Sequence, residues 1–208
     1  YNMKNIVIAT IKEWNINNYF ELKKELENEY SLYLLTNKDE LSFKNIEKIN
    51  PKYIFFPHWS WIIPENIYKN YECILFHMTD LPYGRGGSPL QNLIINKVYN
   101  TKISALKVTK GLDEGDIYLK EDFDISKGSA NEIYINASKL IFKKLIPNIL
   151  RQNPTPVRQE GDVVNFKRRT PEQSNIKMLN DVSIANLYDF IRMLDAPSYP
   201  KAYLELDN

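Results

Sequence analysis

The chain has 208 residues, with 27 Lys and Arg against 26 Asp and Glu and a formal net charge of +1. The length fits one domain, or one domain with a small annex, and the charge balance argues against a general affinity for polyanions. One cysteine and two histidines leave no disulfide framework and no Cys/His metal cluster, and neither a membrane-length apolar run nor a signal-like start is present, so a reducing, cytoplasmic location is expected.

In chain order, residues 5–10 (N-I-V-I-A-T) read as a first strand. The loop after it lacks the glycines of a dinucleotide fingerprint or a Walker loop, which argues against a standard dinucleotide or NTP site. Tyr19, Leu22 and Leu26 mark an amphipathic helix. Residues 31–36 form a second strand, a weak polar helix runs to about Ile49, and residues 52–56 form a third strand. The loop after it, P-H-W-S-W-I-I-P, carries Trp59 and Trp61. These rings either wall a flat heterocycle or simply cover the core, and the residues leave both readings open.

Residues 74–76 are a short apolar strand with His77 at its end. Only seven glycines occur in the chain, none before Gly84; Gly84, Gly86, Gly87, Gly111 and Gly115 crowd two neighbouring loops, where a backbone must bend sharply or approach a ligand. Ser88 and Pro89 suit the N-cap and first position of a helix carrying Leu90, Leu93 and Ile94. The Gly86-Gly87 bend before it would present backbone N–H groups to an oxyanion or phosphate. Residues 103–108 are a further strand, followed by the loop with Asp113. Strand, loop and helix alternate to about residue 110, as in a doubly wound parallel sheet, and ligand chemistry in such sheets gathers beyond the carboxyl ends of strands. His77 and Asp113 would then meet at neighbouring loop ends, and a carboxylate beside an imidazole equips it for acid–base work. A satisfied structural histidine and a turn aspartate remain the alternative.

Residues 116–125 read as another strand, possibly an edge. Ser129 and Glu132 form a capping box opening a helix to about Arg151, whose last turns Pro147 should loosen. From Asn153 the texture becomes extended and Pro-punctuated, and Lys167, Arg168 and Arg169 make the densest basic cluster. Those arginines suit either a bidentate phosphate contact or a solvated salt-bridged face. Leu187, Phe190, Ile191 and Leu194 line one face of a last helix, with Asp189 and Arg192 on another. A closing strand is expected over residues 201–206. The expected division is a domain over 1–152 and a small C-terminal α/β extension over 153–208.

The string F-H-M-T-D-L-P-Y-G-R-G-G-S-P-L-Q, followed by G-L-D-E-G-D and later by R-R-T-P-E-Q-S-N-I, resembles the formyltransferase family. The resemblance covers most of the chain and is strongest over residues 73–116. It implies a Rossmann-like α/β formyltransferase fold, with a mostly parallel sheet flanked by helices, and N10-formyltetrahydrofolate as formyl donor. It implies that His77 and Asp113 are catalytic and that Trp59, Ser60, Trp61, Ile62, Ile63, Lys110, Gly111, Leu112 and Asp113 hold the pterin. Thr79, Gly84, Arg85, Gly86, Gly87, Ser88, Arg168 and Arg169 would face the acceptor. The family's oxyanion-binding asparagine falls on Leu75, a departure that leaves the donor to a backbone N–H, Thr79, Ser88 or His58.

The near-neutral charge and the form of the tail are similar to nucleotide-sugar enzymes. The motif also resembles a bacterial formyltransferase of the pseudaminic acid pathway. The expected acceptor is therefore the amine of a UDP- or dTDP-linked amino sugar, with no nucleic acid and no membrane as partner, in a monomer or homodimer. Leu75 also leaves room for hydrolysis of the formyl donor, or for a degenerate folate- or nucleotide-binding module.

Overall fold

The computed structural model describes residues 3–207. The chain runs through β1 (Lys4–Thr10), α1 (Glu13–Glu25), β2 (Tyr30–Leu35), α2 (Phe43–Ile49), β3 (Tyr53–His58), α3 (Glu65–Tyr68) and β4 (Cys73–His77). It continues through β5 (Tyr83–Gly86), α4 (Pro89–Ile95), β6 (Asn100–Lys107), β7 (Ile117–Asp124), α5 (Ala130–Leu140), α6 (Ile146–Gln152), β8 (Val164–Phe166) and α7 (Ile184–Met193). The central sheet has the order β2-β1-β3-β4-β6-β7. Its first four strands are parallel, matching the expected fold class.

Two cores sandwich this sheet, and β1 shows how. Its interior is apolar on both faces, as a strand covered on both sides requires. Ile6 and Ile8 point into the larger core with Tyr19 and Leu22 of α1 and with Ile133 and Ala137 of α5. Val7 and Ala9, one residue out of phase, point into the smaller core with Ile46 of α2 and Ile67 of α3.

The sheet is mostly parallel, as expected, and the departure comes at β6, which runs antiparallel to β4, as β7 does to β6. The connection explains this. After β4 the chain passes through α4, which has only seven residues and is about 10 Å long. That does not carry the chain back to the amino end of the sheet, so β6 enters from the end that β4 leaves.

The capping box is present, with the Ser129 hydroxyl accepting from the Glu132 N–H at 3.2 Å and the Glu132 carboxylate accepting from the Ser129 N–H at 3.3 Å. Helix α5 opens into a wider, π-type turn over Ile141–Leu145 before α6. That turn lies just before Pro147, which has no N–H to give and would crowd the carbonyl four residues back.

Two expectations for the last segment are corrected. In α7 the side chains of Asp189 and Arg192 are buried, while Ile191 is exposed. The two charges form an ion pair at 2.8 Å, so they satisfy each other inside rather than facing water. Residues 201–206 form no strand; Tyr203 makes one isolated bridge to Asn175. Residues after 152 pack closely on the rest, through a bridge from Val157 to Ile117 and through β8, which pairs parallel with β5. Among the described residues, no helix is long and apolar enough to cross a membrane, and no group of three or more His, Cys, Asp or Glu side chains is placed to hold a metal ion.

Candidate functional site

Thr10, His58 and His77 end three parallel strands at the carboxyl end of the sheet. A cleft of about 1260 Å³ opens there. That exceeds the ~300–1,000 Å³ of a typical single-ligand pocket and leaves space for two reactants together.

Leu75 and His77 lie two residues apart on β4, hence on one face of the strand, and both line the cleft. His77 is buried, and its Nε2 lies 2.7 Å from the Gly84 carbonyl oxygen. A carbonyl only accepts, so Nε2 carries the hydrogen and Nδ1 is left facing Asp113. The Asp113 carboxylate oxygen is 3.7 Å from Nδ1, within ion-pair range but longer than a hydrogen bond. The same oxygen accepts the Gly86 N–H at 2.9 Å. The two side chains therefore meet, by a route other than neighbouring carboxyl ends. Lys107, the end of β6, pairs with Ile74, three residues short of His77, so the loop beyond it must fold back by about 10 Å. Asp113 takes a left-handed conformation (φ 52°) to do so, and Gly115 passes so near the Lys107 carbonyl that a Cβ would collide with it.

The glycine loop differs from its sequence reading. Ser88 is left-handed (φ 49°) and makes no side-chain cap; its hydroxyl instead accepts the Arg169 N–H at 3.0 Å. Asn92 stabilises the loop, donating to the carbonyls of Gly87, Ser88 and Lys167 at 3.1, 3.0 and 3.0 Å. The Gly86 N–H is taken by Asp113 and Pro89 has none, so neither contributes to the expected anion-binding array. Gly87 is needed for close approach, since a Cβ there would lie 2.7 Å from the Cβ of Arg168.

Trp59, Ser60, Trp61, Ile62 and Ile63 line the cleft with Lys110, Gly111, Leu112 and Asp113, as do Gly86, Gly87, Ser88, Arg168 and Arg169. The Trp59 and Trp61 rings meet edge to face with centroids 4.8 Å apart. Trp59 packs on the smaller core and also lines the cleft, where its indole N–H is buried without a partner. The Arg169 guanidinium donates to the Gln173 carbonyl at 2.6 Å, and burial pulls it below the usual arginine range.

Thr79, Gly84 and Arg85 do not lie on the cleft wall. The Thr79 hydroxyl is buried against the Gly84 carbonyl at 3.3 Å, and Arg85 donates twice to the Gln159 side-chain carbonyl, at 3.1 and 2.8 Å. Of the proposed stand-ins for the asparagine, Thr79 is thus removed, Ser88 is engaged by Arg169, and His58 remains on the cleft. Leu75 itself packs in two apolar clusters beside Val108, Leu81 and Leu106.

Lys12, Tyr134, Ser198 and Tyr199 also line the cleft and were not expected there. Lys12 directly follows the carboxyl end of β1, so the strand-end rule applied to β4 would have found it; its left-handed φ of 75° is a costly conformation often kept at functional sites. Ser198 and Tyr199 arrive from the far end of the chain, with no local signal.

A family model described as the C-terminal domain of methionyl-tRNA formyltransferase matches residues 171–208. The methionyl-tRNA formyltransferase of Rickettsia massiliae is 33% identical over 136 residues, 63% of this chain and 45% of that protein. The chain spans about half the length of the curated relatives it matches. The structure of a methionyl-tRNA formyltransferase from Clostridium thermocellum is 53% identical, with a TM-score of 0.93 over 98% of this chain and 88% of that one. HypX from Aquifex aeolicus, solved with tetrahydrofolic acid, shares the fold at 18% identity and a TM-score of 0.73, over 95% of this chain and 35% of that one.

These relatives overturn the amino-sugar acceptor and the exclusion of nucleic acid. The tail that looked like a sugar enzyme's lies within the match at 171–208. The near-zero net charge is a sum over the whole chain and conceals Lys12, Lys110, Arg168 and Arg169 gathered around one cleft. With 53% identity sustained across 98% of its length, the chain belongs to the formyltransferase family.

Proposed function

We propose that this protein transfers a formyl group from N10-formyltetrahydrofolate to the α-amino group of methionine carried on its tRNA. The observation that carries the reading is the meeting of His77 and Asp113 at 3.7 Å in a cleft large enough for two reactants, in a chain with this kinship.

In the proposed reaction the amine nitrogen attacks the formyl carbon. The new C–N bond forms, the bond to N10 breaks, the amine loses a proton and N10 gains one. His77 carries the proton, and Asp113 orients its ring and stabilises the charged form. The tryptophan loop and the 110–113 loop receive the pterin on one side. Arg168, Arg169 and Lys12 face the phosphates of the tRNA 3′ end on the other, where a few local cations suffice to position a strand. In this reading residues 153–208 are an extension that completes the acceptor wall.

The test is incubation with N10-formyltetrahydrofolate and methionine-labelled Met-tRNA, followed by deacylation and chromatography for formylmethionine. Formylmethionine is expected from the native protein, and His77→Asn should lower kcat by at least ~10²-fold, the low end for acid–base assistance. No formylmethionine at enzyme excess, with a folded protein, would overturn the reading.

A further inference from the structure

The side-chain amide of Gln159 is saturated, and each of its partners belongs to one of the two loops that carry the site. Its carbonyl oxygen accepts from Nε and Nη2 of Arg85 at 3.1 and 2.8 Å. Its NH₂ group donates to the backbone carbonyls of Asp113 and Gly115 at 2.8 and 2.9 Å. Two acceptor lone pairs and two donor hydrogens are all used, and the opposite orientation would set NH₂ against a guanidinium and oxygen against two carbonyls. The amide therefore has one orientation, fixed by its neighbours.

Its place in the chain makes it a spacer. Val157 is bridged to Ile117 at the start of β7, and Val164 begins the strand that pairs with β5. Gln159 lies between these two anchors. On one side it holds the backbone of the Asp113 loop; on the other it holds Arg85, the residue before the Gly86 N–H that binds the Asp113 carboxylate at 2.9 Å. The ring of contacts from Asp113 through Gln159 and Arg85 to Gly86 closes on itself. It sets the distance at which the carboxylate faces Nδ1 of His77.

We infer that Gln159 is a positioning residue that, with Arg85, clamps the Asp113 loop to the glycine loop and so holds the carboxylate against His77. Neither Gln159 nor Arg85 lines the cleft, so their effect passes through Asp113 and not through a reactant. The inference rests on the proposed transfer at His77 and Asp113.

Two substitutions separate the parts of the clamp. Gln159→Glu keeps an acceptor for Arg85 but turns a carboxylate toward two carbonyl oxygens, so the Asp113 loop is pushed away. Gln159→Leu removes all four bonds at similar size without adding charge. For both we expect kcat for Met-tRNA formylation to fall by about 10²-fold, the cost of misplacing a reacting group by about 1 Å, with KM for folate and for Met-tRNA within about threefold. As the carboxylate withdraws, the ring-nitrogen NMR resonances of His77 at fixed pH should move. The chain has two histidines, so the His58 ring serves as an internal reference.

An unchanged kcat and unmoved His77 ring resonances in both variants would overturn the inference. So would a parallel loss of kcat, both KM values and thermal midpoint, which would mark Gln159 as support for the fold alone. If the native protein formylates no Met-tRNA, the functional reading fails. The His77 ring resonances in Gln159→Leu still decide whether the clamp exists.

Discussion

Removing one charge from the pair inside α7 should be costly, and removing both should not. The side chains of Asp189 and Arg192 are 10% and 4% exposed, with Nε and Oδ1 2.8 Å apart. Arg192 also donates to the Ile125 and Gly128 carbonyls at 2.9 and 3.1 Å, while Tyr99 and Lys97 donate to the other carboxylate oxygen. Asp189→Ala leaves a guanidinium buried without its counter-charge, a change worth about 3–5 kcal/mol. At ~2–4 °C per kcal/mol for a domain of this size, the thermal midpoint should fall by roughly 6–20 °C. Urea unfolding followed by circular dichroism gives the same quantity independently. The double variant Asp189→Ala/Arg192→Met exchanges the pair for apolar volume and should recover all but about 1 kcal/mol, since a buried pair breaks nearly even against packing. Residues 196–200 after α7 line the cleft, so the single variant should also raise KM for Met-tRNA more than KM for folate. There is an acid limb as well. Burial by itself would raise the Asp189 pKa, but the hydrogen bonds from Tyr99, Arg192 and Lys97 win and hold it below the usual carboxylate range. Its stabilisation is therefore fully present above the unfolded value of about 3.9, and is lost as pH falls through the lower folded value. A loss below ~1 kcal/mol in Asp189→Ala, or a double variant no better than the single, would refute this account of the pair.

Other perturbations probe the site. Gly86→Ala forces a side chain onto a backbone at φ 104° and drives its Cβ into the Phe166 carbonyl. About 2–4 kcal/mol of stability should be lost, from strain of ~1–3 kcal/mol plus the collision. Because the Gly86 N–H leaves Asp113, kcat should drop even at temperatures where the variant stays folded, and undiminished kcat would contradict the contact. Leu75→Asn restores an amide to the family's oxyanion position and should raise kcat, by up to the ~10²-fold of one donor. It should also cost about 1–3 kcal/mol because Leu75 packs among apolar neighbours. A kcat that falls or stays level in steady-state assays would show that another donor already occupies the role.

What the sequence disclosed depended on how local each signal was. The capping box at Ser129 and Glu132 is a four-residue pattern and could be read directly. His77 at the end of an apolar strand, Trp59 and Trp61 after β3, and glycines concentrated in two loops all drew attention to the strand ends where the cleft opens. Lys12 obeys the same rule but carries no motif, since a single lysine after a strand is ordinary and its loop has no glycine fingerprint. Ser88 looked like an N-cap because Ser-Pro before apolar residues is normally that, but its hydroxyl answers to the Arg169 N–H, 81 residues away in the chain. Asp189 and Arg192 looked like a solvent face because charges are seldom buried unless paired, and only the fold brings Tyr99, Ile125 and Gly128 around them. Arg85 looked available for an acceptor because its partner, Gln159, carries no motif.

The reversal at β6 ties these cases together. Had β6 run parallel to β4, the Asp113 loop would have left the sheet beside His77, and a short turn would have been enough to bring the carboxylate to the ring. Running antiparallel, β6 ends near Ile74, and the loop must return along the sheet with left-handed Asp113 and a glycine pressed on Lys107. Such a return is held by little of its own: its side of the contact is irregular backbone, whose carbonyls need partners. Those partners come from the segment after residue 152, through Gln159 to the Asp113 and Gly115 carbonyls, while the Gly86 N–H on the opposite loop holds the Asp113 carboxylate. The C-terminal segment thus supports the His77–Asp113 pair as well as lining the cleft. The proximity of the two residues, which their motifs suggest as a local matter, is a product of contacts spanning the chain from β4 to β8.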